Sequence, residues 1–227
     1  MQVELFSAPA GVKARALMIL IPGAQQEPQD LQKAGFISAV RDRRLAIDLA
    51  LVAPQPAHLT DRSVLAQLHS DLVQPARSSR DVGVWLAGIS WGGFLALLYA
   101  ADHPTDLEGV CLLGPYLGTR MITAEICGFG SLAEWGAGAS AVEDELMEER
   151  RVWRFIARHA PHPPLIRYLG FGRKDRFAPA QRLLADQLPA QAVDVVDGGH
   201  DGTVWRRLWD HLLDRLAGNG AELLQCS

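Results

Sequence analysis

Short unbroken apolar runs alternate with stretches whose apolar residues recur every three or four positions. The clearest run is Ala16-Leu-Met-Ile-Leu-Ile21, the mark of a strand buried on both faces. Similar runs predict strands at residues 3–6, 46–52, 82–87, 107–113, 165–170 and 192–196. Helical spacing predicts a helix over 31–44, with Leu31, Ala34, Phe36, Ile37 and Val40 inward. A second covers 62–76, capped by Asp61, with Val64, Leu65, Leu68 and Leu72 on one stripe. Others cover 92–102, stopped at His103-Pro104, then 179–187, and 203–216 with Val204, Leu208, Leu212 and Leu216 in register. Alternating strands and helices predict an α/β fold, a three-layer α/β/α sandwich around a mainly parallel twisted sheet.

One segment breaks the alternation. Residues 117–164 contain Gly128, Gly130, Gly136 and Gly138, apolar Met121, Ile122, Ile126, Phe129, Leu132 and Trp135, and an acidic helix over 141–158. It reads either as a crossover packed on the domain or as a small lid, since long insertions often cover binding sites, with the lid favoured because the segment leaves the strand next to the one over 82–87 and returns just before the strand that leads to Asp175.

Composition narrows the function classes. With 227 residues, 48% of them hydrophobic, residues 1–227 fit a single domain with a full core. The formal net charge of −4 comes without a long run of one sign, so neither a nucleic-acid nor a membrane partner is expected. The start, Met1-Gln-Val-Glu-Leu, lacks a basic region followed by an apolar stretch, and a cytoplasmic location is expected. Cys111, Cys127 and Cys226 are few and unclustered, which suits a reducing compartment and gives no metal-ligand spacing. A monomer or homodimer acting on a small molecule, with no metal and no cofactor, is the expectation.

The chemistry centres on Gly88-Ile89-Ser90-Trp91-Gly92, between a predicted strand and a predicted helix. A G-x-S-x-G there reads as a nucleophile elbow, because the serine must sit on a sharp corner and glycines must flank it. A serine hydroxyl needs a base. Among seven histidines, His200 follows a strand and two glycines, where its ring can reach a neighbouring strand end. His58, His69, His103, His159, His162 and His211 read as surface or structural. The base needs an orienting carboxylate. Asp175 follows the preceding strand and completes the order Ser, acid, His. Asp197 is its best rival, while Asp201 adjoins His200 and Asp194 lies inside a strand. Gly114-Pro115-Tyr116, after the strand that follows the elbow, offers no carboxylate. An oxyanion needs two backbone donors. Trp91 N–H is one, and Ala24 N–H, with Gln25 N–H as the alternative, is the other.

These residues resemble a small α/β-hydrolase of the esterase/carboxylesterase kind. The resemblance rests on Gly88-Ile-Ser-Trp-Gly-Gly93, Gly172-Arg-Lys-Asp175 and Gly198-Gly-His-Asp201, and covers nearly the whole chain. It implies nucleophile, acid and base at Ser90, Asp175 and His200, and cleavage of a small carboxylic ester or thioester without a cofactor. Many relatives carry His-Gly at the oxyanion loop, where this chain has Pro22-Gly23. Amidases, peptidases and acyltransferases share the triad, and a non-catalytic binding protein on the same fold is the alternative from another class.

Overall fold

The computed structural model describes residues 1–53, 63–79, 82–138, 146–159 and 165–218. Asp61, His58, His162, Cys226 and the acidic Glu143, Asp144 and Glu145 lie outside the described residues. Seven strands form one sheet in the order β1-β3-β2-β4-β5-β6-β7. They are β1 (Gln2–Phe6), β2 (Ala16–Ile21), β3 (Ile47–Ala53), β4 (Gly83–Ile89), β5 (Gly109–Leu113), β6 (Ile166–Gly172) and β7 (Val193–Val196). β1 pairs antiparallel with β3 and all other pairs are parallel.

The continuous apolar runs are explained by two cores. Leu17, Ile19 and Ile21 of β2 face one cluster, and Ala16, Met18 and Leu20 face the other. Helices α1 (Pro28–Lys33), α2 (Phe36–Asp42) and α10 (Gly202–Gly218) cover the second. The first is covered by α3 (Ser63–Leu68), α5 (Trp91–Asp102), α6 (Arg120–Cys127), α8 (Met147–His159) and α9 (Ala178–Ala185).

Two helices differ from the periodicity. The stretch expected as one helix over 31–44 is split, because Gly35 takes φ 81°, outside helical backbone, between α1 and α2. The helix expected over 62–76 passes from α3 through a π turn at His69–Val73 into α4 (Gln74–Ser78).

In the segment after β5, α6, α7 (Leu132–Gly138) and α8 put Ile122, Ile126, Trp135, Trp153 and Ile156 into the first core. The helix α8 lies against α5. The Trp153 indole N–H donates to Leu117 O at 2.8 Å, and the Trp135 indole N–H donates to Glu125 Oε1 at 2.9 Å. Strand registers bring the carboxyl ends of β2, β4 and β5 level, with Ile21 opposite Gly88 and Ile89 opposite Leu113. Gly172 of β6 stands opposite Val196 of β7. The loops that follow these ends meet at the carboxyl end of the sheet.

Candidate active site

Ser90 lies between β4 and α5 with φ 51° and ψ −114°, a strained conformation for a residue with a side chain. Backbone bonds hold it there. Ser90 N–H donates to Leu113 O at 3.1 Å, and Ser90 O accepts from Gly93 N–H at 3.0 Å and Tyr116 N–H at 2.9 Å. The corner is also close-packed. A Cβ on Gly92 would stand 2.1 Å from Ile21 O, and one on Gly88 would stand 2.4 Å from Gly92 O. Only glycine fits either position.

His200 reaches this corner from the loop after β7. Gly198 has φ 132°, and a Cβ there would stand 2.3 Å from Val204 Cγ2. Lys174 N–H donates to Gly198 O at 2.9 Å, which ties that loop to the one after β6. As a result Ser90 Oγ and His200 Nε2 are 2.8 Å apart, and His200 Nδ1 is 2.8 Å from Asp175 Oδ2. The carboxylate accepts, so Nδ1 carries the proton and Nε2 faces the hydroxyl as an acceptor. The Asp175 side chain is fully buried, and its Oδ1 accepts Phe177 N–H at 2.8 Å.

The competing acids have other partners. Asp197 is exposed and pairs with Arg173 at 3.3 Å. Asp201 Oδ1 accepts Thr203 N–H at 3.0 Å and Val204 N–H at 3.1 Å, capping α10. Asp194 binds Arg215 and accepts from the Tyr168 hydroxyl. The loop after β2 lies close to the serine, since a Cβ on Gly23 would stand 3.4 Å from Ser90 Cβ. Gln26 Oε1 accepts Gly23 N–H at 2.8 Å, and Gln25 takes φ 65°. Trp91 is the first residue of α5, where N–H groups have no partner within the helix.

A chain of half-buried aromatic rings surrounds these groups. Phe177 and Trp205 both meet the His200 ring edge-on, at 4.9 and 5.0 Å between centroids. Tyr116 joins Phe177 at 5.2 Å to Trp91 at 5.6 Å. Behind Tyr116 stands Glu149, a buried acid of α8. It accepts from Tyr116 OH at 2.9 Å, Thr119 N–H at 3.0 Å and Thr119 Oγ1 at 3.1 Å. Burial first, then Glu149, pushes the Tyr116 hydroxyl pKa well above its usual range. Gln181, also fully buried, donates from Nε2 to Pro115 O at 3.0 Å. No motif in the sequence marks Gln26, Glu149 or Gln181. Only Glu149 left a trace, as an acid on the inward stripe of an otherwise charged helix.

Residues 53–214 match the family model described as "Putative esterase". The chain belongs to this esterase family. It is an α/β-hydrolase and an ester-hydrolysing enzyme. The esterase also aligns with solved structures whose low identities speak for the fold alone. S-formylglutathione hydrolase (FrmB) from Staphylococcus aureus aligns with a TM-score of 0.58 at 12% identity, over 91% of this chain and 82% of that one. Alpha/beta hydrolase domain-containing protein 10 from mouse aligns with a TM-score of 0.58 at 16% identity, over 96% and 94%. Brefeldin A esterase, a bacterial homologue of human hormone sensitive lipase, aligns with a TM-score of 0.57 at 16% identity, over 97% and 72%. No curated protein matches this esterase by sequence. No helix among its described residues is long and apolar enough to cross a membrane.

Proposed function

We propose that the esterase cleaves a small carboxylic ester or thioester through an acyl-enzyme on Ser90, with His200 as base and Asp175 as the acid that orients it. The observation that carries this reading is the continuous relay from Ser90 Oγ to His200 Nε2 and from His200 Nδ1 to Asp175 Oδ2, each step 2.8 Å. As Oγ attacks the acyl carbon, its proton passes to Nε2. The imidazolium is stabilised by the buried carboxylate. The tetrahedral oxyanion is held by Trp91 N–H at the positive end of α5 and by Ala24 N–H from the loop after β2. Collapse expels the alcohol or thiol, which takes the proton from Nε2. Water then attacks the acyl-enzyme, giving its proton to His200, and Ser90 leaves with that proton as the acid is released.

The half-buried rings of Trp91, Tyr116, Phe177 and Trp205 favour an apolar acyl group of modest size. The reading also includes a cytoplasmic location, a monomer or homodimer, and no partner other than the substrate. The test is a series of aryl esters and thioesters from acetyl to decanoyl with wild-type enzyme and Ser90→Ala. The expected result is a maximum of kcat/KM at short chains, with kcat reduced about 10⁴-fold or more in the variant. Rates that climb to the longest chain would refute the small acyl group. Full activity in Ser90→Ala would refute the mechanism.

A further inference from the structure

Two histidines that the hydrolytic reading leaves without a role come together at the far end of α5. His69, from the π turn, and His103, which follows the last residue of α5, stack with ring centroids 4.6 Å apart and planes 17° from parallel. Asp106 joins them. Its Oδ2 is 3.7 Å from His69 Nδ1 and 3.6 Å from His103 Nδ1. These separations are too long for hydrogen bonds. They approach the edge of a zinc tetrahedron, since two ligands each about 2.0–2.1 Å from the ion are about 3.4 Å apart. All three ligand atoms lie within 4.8 Å of one another.

The surroundings suit a cation. Arg77 pairs with Asp106 Oδ1 and fixes the carboxylate so that Oδ2 faces the imidazoles. The negative end of the α5 dipole lies at His103. A solvent-open cavity of about 350 Å³ adjoins the rings, lined by Leu65, Ala66, His69, Asp102 and His103, and can deliver water to a fourth position. Asp102 there is paired with Arg151, so it does not compete. The π turn, a feature that recurs at functional sites, sets the position of His69 on its helix.

We propose that His69, His103 and Asp106 form a zinc site, with two imidazole Nδ1 atoms, one carboxylate oxygen and a water as ligands. Two nitrogens and one oxygen select zinc over magnesium or calcium, which prefer all-oxygen shells. Binding turns the rings out of their stack and releases His69 Nδ1 from the Tyr99 hydroxyl, 2.9 Å away. The ion clasps the π turn to the end of α5. Ser90 is a helix length away, about 18 Å for twelve residues, so the site braces the fold and takes no part in turnover.

The test is calorimetric titration of untagged, chelator-stripped full-length protein with zinc chloride, with unfolding followed in parallel. The expected result is one zinc per chain and a raised Tm. His69→Ala and His103→Ala should each weaken binding about 100-fold or more, because loss of outer-shell partners alone costs 10–100-fold. His69→Gln and His103→Gln serve the same end if an alanine variant does not fold, and an unchanged ester-hydrolysis rate reports native structure. Cobalt should give an intense tetrahedral visible spectrum that these variants lose. His200→Ala should bind zinc as the wild type does. Absence of zinc binding by the wild type overturns the proposal. So does binding that survives in the His69 and His103 variants but disappears in His200→Ala, or in His211→Ala, whose ring lies 3.5 Å from Asp194.

Discussion

At Ser90 a single residue carries backbone strain of order 1–3 kcal/mol, and its neighbours explain why it persists. Its N–H and its carbonyl are both bonded to the loop around β5, so relaxing the corner would break three backbone bonds. The strain aims Oγ at His200. Two aspartates near that histidine have opposite surroundings. Asp175 is buried against Nδ1, and Asp197 is solvated beside Arg173. Asp175→Asn is therefore expected to lower kcat by about 10⁴-fold by favouring the wrong imidazole tautomer. Asp197→Asn should leave kcat unchanged, because an exposed pair contributes little. Steady-state kinetics on one ester separates the two, and the reverse ranking would reassign the acid. That Ser90, His200 and Asp175 come together is legible in the sequence, because each follows a strand whose apolar run is unmistakable. Gln26 is not, because its role depends on a side chain folding back on Gly23, and no residue pattern announces that.

At the scale of elements, α8 and the loop after β5 are joined through Glu149. Three donors converge on this buried carboxylate, and one of them, Tyr116, belongs to the aromatic wall beside Phe177. Removing the acceptor leaves those donors unpaired at a cost of about 1–3 kcal/mol. Glu149→Ala is expected to lower Tm by several degrees and to raise KM for esters more than it lowers kcat, with Glu149→Gln recovering part of both. A kcat loss at constant KM would place Glu149 outside substrate positioning. The sequence showed seven strands and the closing helix, since those patterns depend on local periodicity. It missed the break at Gly35 and the π turn at His69–Val73 because apolar spacing of three to four residues runs through both. The helix over 141–158 is legible and α8 falls on that stretch, but α6 and α7, and where all three pack, are hidden. What packs against α5 is decided by long-range burial of Trp153 and Ile156, and the sequence marks these only as apolar.

Over the whole molecule, the chain's three tyrosines share one electrostatic circumstance. Burial raises all three pKa values, that of Tyr99 to about 12, with Glu149 adding to the effect at Tyr116 and Asp194 at Tyr168. In the unfolded chain they would ionise near 10. The folded-state values lie above the unfolded ones, so this contribution to stability is complete below pH 10 and is lost as pH rises through the folded-state values. Titration with base should show no tyrosinate absorbance until circular dichroism reports unfolding. Ionisation near pH 10 in folded protein would contradict the buried settings. The proposed triad also belongs to the whole molecule, since strand ends distant in sequence must place one serine, one histidine and one aspartate in contact. Its most direct measurement is the site of covalent labelling by a fluorophosphonate, located by peptide mass spectrometry of active enzyme. A single adduct on Ser90, formed in step with loss of ester hydrolysis, is the expected result. An active sample that takes no label, or carries it on another residue, would contradict it.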